Sequence, residues 1–243
     1  MEAASPILVA HGIHKRFGAL VVLDGIDFVV QPGEAVGIVG PNGAGKTTLL
    51  SVLSGAQLPN AGSVSFRGED VTGLGAPLRC RRGLARTHQI PRPFSGMTVF
   101  ENVYVAASQS GLTREQSYER TVGALTRCGI AGLANRQADT LGLLDRKRLE
   151  LARALGTGPS LLLLDEIGGG LTDAEATELV EAIRELQRSG IGIVWIEHIV
   201  HVLLQVAKRL ICLNAGKIIA DGDPATVMKN PEVVEAYLGG AAP

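Results

Sequence analysis

Gly40-Pro41-Asn42-Gly43-Ala44-Gly45-Lys46-Thr47 is the stretch whose reading decides the fold. It satisfies G-x-x-x-x-G-K-[ST], and its flanks are as informative as its letters. Ala35-Val36-Gly37-Ile38-Val39 before it is an apolar run of buried-strand length, and Thr47 to Leu53 after it reads as helix up to Gly55, a helix stop. Strand, glycine loop and helix in that order bring backbone N–H groups together on phosphate oxygens, where the helix dipole adds about half a positive charge. Lys46 is then placed to reach the β- and γ-phosphates, and the Thr47 hydroxyl to hold Mg²⁺. A glycine-rich turn with a surface lysine is the competing reading, and it leaves the strand on one side and the helix on the other unexplained.

Downstream, Leu161-Leu162-Leu163-Leu164-Asp165-Glu166 is a second buried strand that delivers two carboxylates at its carboxyl end, where α/β sheets bind ligands. Asp165 suits Mg²⁺ held through its water shell, and Glu166 suits polarisation of an attacking water. Asp165-Glu166-Ile167-Gly168 also spells the D-x-x-G of GTPases, but no N-K-x-D element follows to read guanine, so adenine is favoured. His198, after the strand-like Gly192 to Ile196, stands where a γ-phosphate sensor would; an ordinary core or surface histidine is the alternative. Gln89, ahead of Ile90-Pro91-Arg92-Pro93-Phe94, either contacts metal and attacking water or is a plain loop glutamine. Arginines 79, 81, 82 and 86 read as a solvated charged face.

The rest of the chain supports an α/β protein. Its 243 residues are enough to bury a proper core, which excludes a disulfide-stapled miniprotein. With 46% hydrophobic, 19% charged, only 4% aromatic residues and 31 glycines, disorder and an aromatic-rich β-sandwich are disfavoured. Lys plus Arg number 23 against 24 acids, a net charge of -1, so no global field steers the chain to nucleic acid or an anionic membrane. Cys80, Cys128 and Cys212 are scattered without a C-x-x-C pair, which points to a reducing compartment and away from structural zinc. The start, Met1 to Val9, lacks a signal-peptide core, and no apolar run is long enough to span a membrane. A cytoplasmic protein is expected, with any membrane supplied by another chain.

Alternation at Ile26, Phe28 and Val30, a turn at Gln31-Pro32-Gly33-Glu34 and renewed alternation at Val64 and Phe66 indicate antiparallel strands. From about Ile90 to Gly158 the spacing is helical, including a helix Arg146 to Leu155. Thr172 to Arg188 is an amphipathic helix with a capping box (Thr172, Glu175) and core positions 176, 179, 183 and 186. A terminal hairpin spans Arg209 to Ala220, and Asn230 caps a last short helix.

Taken in order, the glycine loop, Gln89, the helical insert, the Asp165-Glu166 strand end and His198 resemble the ATP-binding subunit of an ABC transporter over nearly the whole chain. Gly83-Leu84-Ala85-Arg86-Thr87-His88-Gln89, Met97-Thr98-Val99-Phe100-Glu101-Asn102-Val103, Arg148-Leu149-Glu150-Leu151-Ala152-Arg153 and Asn230 to Gly239 are similar to the branched-chain amino acid importer group. Importers of urea or other amides share these phrases. The resemblance implies a single ATP-binding domain, 1–243, with an α/β P-loop NTPase (RecA-like) core. That core, with an N-terminal antiparallel β-subdomain, takes residues 1–89 and 158–243; an inserted α-helical subdomain takes 90–157.

The resemblance further implies ATP and Mg²⁺ as ligands. Gly40, Pro41, Asn42, Gly43, Ala44, Gly45, Lys46, Thr47 and Thr48 would hold the nucleotide, and Phe17 would stack on adenine unless it is a core phenylalanine. Thr47, Gln89 and Asp165 would hold the metal, with Glu166, His198 and Gln89 catalytic. Implied partners are a second ATP-binding subunit in a homo- or heterodimer, transmembrane permease subunits docking in a groove beside Gln89 to Met97 and, indirectly, a solute-binding protein; nucleic acid is not among them. The protein would sit peripherally on the inner face of the cell membrane.

Two departures from that family pattern stand out. Where the family has a Leu-Ser-Gly-Gly-Gln type signature serving the partner's nucleotide, this chain has Leu141-Gly142-Leu143-Leu144-Asp145. Losing one charge-assisted hydrogen bond to phosphate costs roughly 1.5 to 3 kcal/mol, and Asp145 adds negative charge. A heterodimer with one weakened site is therefore expected, and a low-turnover nucleotide-switched regulatory or assembly ATPase is the alternative function. The other departure is Ile167 in place of a proline, followed by the flexible Gly168-Gly169-Gly170.

Overall fold

The computed structural model describes residues 5–197 and 199–238. Its centre is a six-stranded sheet built from apolar runs too uniformly greasy to face water on either side. In chain order the strands are β3 (Ala35–Val39), β6 (Leu84–Arg86), β7 (Leu161–Asp165), β8 (Gly192–Ile196), β9 (Arg209–Asn214) and β10 (Lys217–Gly222). In space they run β10-β9-β3-β8-β7-β6, all parallel except the hairpin partner β10.

Strand periodicity divides the interior into two cores. Val36, Ile38, Leu161, Leu163, Val194 and Ile196 face one side; Ala35, Val39, Leu162, Leu164, Ile193 and Trp195 face the other. The first face is covered by helix α1 (Lys46–Leu53) and by a four-stranded antiparallel sheet of β1 (Leu8–Phe17), β2 (Leu20–Val30), β4 (Ala61–Phe66) and β5 (Glu69–Asp70), ordered β2-β1-β4-β5. Ile26, Phe28, Val30, Val64 and Phe66 all point into it, as their alternation predicts.

The second face carries α6 (Asp173–Arg188), whose Ala176, Leu179, Ile183 and Leu186 are buried, together with three helices inserted between β6 and β7. These are α3 (Val99–Ser108), α4 (Arg114–Arg127) and α5 (Leu143–Gly156), preceded by the short α2 (Ala76–Arg81). After β8 come α7 (Val200–Leu203), then α8 (Pro224–Val227) and α9 (Pro231–Leu238) beyond the terminal hairpin. Among the described residues no helix is long and apolar enough to cross a membrane.

Two sequence expectations need correction. The helix expected to start at Arg146 starts at Leu143, because Gly142, extended at ψ 172°, serves as its N-cap and Asp145 lies favourably in its first turn. The arginine cluster is not a solvated face throughout. Arg79 is fully buried, its guanidinium donating to the carbonyls of Val52, Leu53, Thr72 and Leu74 at 2.8–3.0 Å, so it closes the C-terminus of α1. Arg86 is directed into the candidate site.

Candidate nucleotide site

Parallel pairing sets the carboxyl ends of β3, β7 and β8 side by side, and each leads into a segment with polar groups. The loop after β3 turns through Gly40, Gly43 and Gly45, all at positive φ, and Gly45 is the N-cap of α1 without a side-chain cap. Gly40 has no alternative: at φ 145° an added Cβ would lie 2.0 Å from the Leu213 carbonyl oxygen. Lys46, 6% exposed, bends its ammonium over this loop, donating to Gly40 O at 2.7 Å and Pro41 O at 2.9 Å. Burial lowers the Lys46 pKa, opposed by the negative charges of Glu166 and Asp165 and by Cys212.

Asp165, 2% exposed at the end of β7, faces α1. Thr47 Oγ1 donates to its Oδ1 at 3.4 Å, and the Arg86 guanidinium donates to its Oδ2 at 2.8 Å. Arg86 also donates to Ser51 Oγ at 2.9 Å, tying β6, β7 and α1 together at one point. Glu166 has φ 47°, a left-handed conformation rare outside glycine, and its N–H donates to Ile196 O at 2.9 Å. Gln89 donates from Nε2 to Glu166 Oε2 at 2.5 Å, so the glutamine and the glutamate, distant in sequence, meet. Phe17 ends β1 with 48% of its surface exposed and Lys15 Nζ 5.1 Å from its ring centre; it is not a core phenylalanine. His198 lies outside the described residues.

Two buried charges escaped the sequence reading. Glu197 Oε1 accepts from Gly168 N–H at 2.6 Å and so grips the loop that follows Glu166. Lys147, buried on α5, has its pKa lowered by burial and raised in part by Glu197 and Glu166. Nothing in their spacing marked either residue, since their importance comes from packing across elements. The Leu141–Asp145 segment is also placed: Leu141 is buried, Leu143 is 44% exposed, and Asp145 lies 3.8 Å from Arg148. Arg146 braces it by donating to Leu141 O at 2.8 Å and Asp139 O at 2.7 Å. A Cβ on Gly170 would stand 3.2 Å from Leu143, so the segment abuts the glycine loop after Glu166.

This donor set suits a polyphosphate with its metal. Helix-terminal amides that no side chain caps, a buried ammonium and open space beside Gly43 favour phosphate oxygens. One hydroxyl and one carboxylate on facing element ends suit Mg²⁺, which takes few protein oxygens.

Comparison with known proteins agrees with this geometry. The family described as "ABC transporter" matches residues 23–168, and the family "Branched-chain amino acid ATP-binding cassette transporter" matches residues 217–243. The high-affinity branched-chain amino acid transport ATP-binding protein LivG of Escherichia coli K12 is 37% identical, covering 98% of this chain and 100% of that protein. BraF of Pseudomonas aeruginosa, described in the same terms, is 34% identical over 97% of this chain and 99% of its own length. Among solved structures, the ADP conformation of an ATP-binding cassette of an ABC transporter superposes with a TM-score of 0.87 at 31% identity, covering 97% of this chain and 100% of the other. With fold, loop geometry and full-length similarity in accord, the chain belongs to the ABC transporter family.

Proposed function

We propose that this chain is the ATP-hydrolysing subunit of an importer for branched-chain amino acids or related small amides. The observation that carries the reading is the convergence of Lys46, Thr47, Asp165, Glu166 and Gln89 at the carboxyl edge of the sheet. The Gly40 to Thr48 loop binds the phosphates through its amides, with the Lys46 ammonium supplying charge at the β- and γ-positions. Thr47, Asp165 and Gln89 would hold Mg²⁺, which when bound neutralises phosphate charge. Glu166 accepts a proton from the attacking water while Gln89, hydrogen-bonded to it, fixes the direction of the carboxylate. Phe17 offers an exposed face for adenine. His198 is proposed as the γ-phosphate contact.

The substrate class rests on the relatives' names and on the family match at residues 217–243. Permease docking is assigned to a groove of about 320 Å³ lined by Pro77, Cys80, Arg81, Phe94, Ala106 and Arg153. It opens where the segment after Gln89 crosses the helices. Arg153 fixes that segment, donating to Arg92 O at 2.6 Å with its guanidinium 4.5 Å from the Phe94 ring centre. A permease helix seated here senses any shift of Gln89 relative to α5. On this reading the protein sits peripherally on the inner face of the membrane.

The Leu141–Asp145 segment supports a heterodimer with a second ATP-binding subunit. An exposed leucine and a carboxylate there serve a partner's phosphate poorly, whereas the site on Lys46 and Glu166 would be completed by the partner's signature. Glu166→Gln tests the core of the reading in the complex with permeases. ATP turnover should fall by about 10²- to 10⁴-fold with Mg-ATP binding retained. Unchanged turnover would remove Glu166 from the mechanism. Brisk, cooperative hydrolysis by the purified chain alone would overturn the heterodimer.

A further inference from the structure

The last turn of α9 carries a residue that the mechanism above leaves unused. Asn230 caps α9, its Oδ1 accepting from Glu232 N–H at 2.9 Å, and Val233, fully buried, seats the helix on the core. Four residues on, and therefore on the same face, stands Tyr237. Its side chain leaves the helix to meet the glycine loop 197 positions away in sequence: Gly40 N–H donates to the Tyr237 hydroxyl oxygen at 2.8 Å.

That contact completes a three-sided grip on one residue. The Gly40 carbonyl accepts from the Lys46 ammonium at 2.7 Å, the Leu213 carbonyl closes the side where a Cβ would stand, and Tyr237 takes the amide. Leu213 belongs to β9, whose hairpin leads through α8 into α9, so two of the three holds come from the same terminal segment. At φ 145° Gly40 has wide freedom to rotate if any hold is lost, and its carbonyl is one of the two that position the Lys46 ammonium.

The geometry points to Tyr237 as a positioning residue for ATP binding: its hydroxyl fixes the Gly40 peptide and, through it, the Lys46 ammonium, tying the C-terminal helix to the nucleotide site. This rests on the nucleotide-binding reading above and adds a residue to it. Tyr237 acts through the loop backbone and touches no reacting atom. Tyr237 is 41% exposed, so replacing it by phenylalanine removes the hydroxyl without disturbing a buried core position.

Tyr237→Phe in the full chain isolates the hydroxyl. Removing one acceptor from a partly buried amide should raise the dissociation constant of Mg-ATP by about three- to tenfold. The Michaelis constant should rise in step in the complex with permeases, while kcat and the thermal midpoint stay as in wild type. Hydrogen exchange of the Gly40 amide should accelerate in the variant, read from a peptide spanning 38–45. Equal Mg-ATP affinity and equal exchange in the two proteins would overturn the assignment and leave the nucleotide reading intact. A weaker affinity that only tracks a lower thermal midpoint would also overturn it, since the hydroxyl would then be a stability contact. If the wild-type chain itself fails to bind Mg-ATP, both readings fall.

Discussion

A methyl group at Gly168 would collide with the carboxylate that holds its loop. A Cβ there would stand 2.7 Å from Glu197 Oε1, the same oxygen that accepts the Gly168 N–H. Gly168→Ala should therefore push the loop away from Glu197 and drag Glu166, two residues earlier, off its line. Turnover is expected to fall by about 10- to 100-fold with Mg-ATP affinity little changed, measured by steady-state kinetics beside equilibrium binding. Arg79 makes the opposite point, because its charge serves stability alone. Arg79→Met strips four carbonyls, two of them at the end of α1, of their donor. The loss should be about 3 kcal/mol, seen as a lower urea midpoint. Lys46, Thr47, Asp165 and Glu166 were legible in the sequence because each is defined by its distance from a strand end. Arg79, Arg86, Lys147 and Glu197 were not, because a charged side chain is buried only when partners from other elements meet it, and spacing along the chain does not show those partners.

Elements announced themselves to the degree that their stability is local. Helix α6 was readable end to end: Thr172 accepts from Glu175 N–H, the Glu175 carboxylate answers the Thr172 N–H at 2.8 Å, and four apolar positions repeat at helical spacing. Thr98 and Glu101 build the same box at the start of α3, with Glu101 Oε2 accepting from Thr98 N–H at 2.7 Å. Strand β6 went unread, being three residues long beside arginines; it exists because β7 offers it a ladder, pairing Leu84 with Leu161. The boxes carry a pH signature. Hydrogen bonds from the cap backbone, then from the cap hydroxyl, hold the carboxyls of Glu101 and Glu175 below the usual glutamate range. Their folded values are depressed, so their stabilisation is complete above the ordinary value of about 4.3 and is lost as pH falls through the lower folded values. Glu101→Gln/Glu175→Gln should melt lower than wild type near neutral pH. The two melting curves should converge on acidification below about pH 4, whereas a constant gap across that range would contradict the cap origin.

At the scale of the whole molecule, the two cores divide the labour. The one under α1 and the antiparallel sheet backs the glycine loop, while the one under α5 and α6 carries Leu141–Asp145 and the groove beside Phe94. The α/β core followed from apolar runs and glycine placement, but the order of its strands did not, and the groove was expected only from the family resemblance, because it forms where α2, α3, the loop after Gln89 and α5 come together. Its occupant can be tested through the thiols. Cys128 and Cys212 are buried, and burial pushes their pKa values up to about 12 and about 11, so neither presents a reactive thiolate in ordinary buffers. Cys80 is partly exposed and lines the groove. A maleimide probe at about pH 8 should therefore modify one thiol of the native chain, Cys80, with all three reacting only after denaturation. When the permease subunits are bound, labelling of Cys80 should slow sharply, while Cys80→Ser leaves the native chain unlabelled and confirms the site. If Cys80 reacts in the complex as fast as in the free chain, the permease docks elsewhere and motion of Gln89 must reach the membrane by another route.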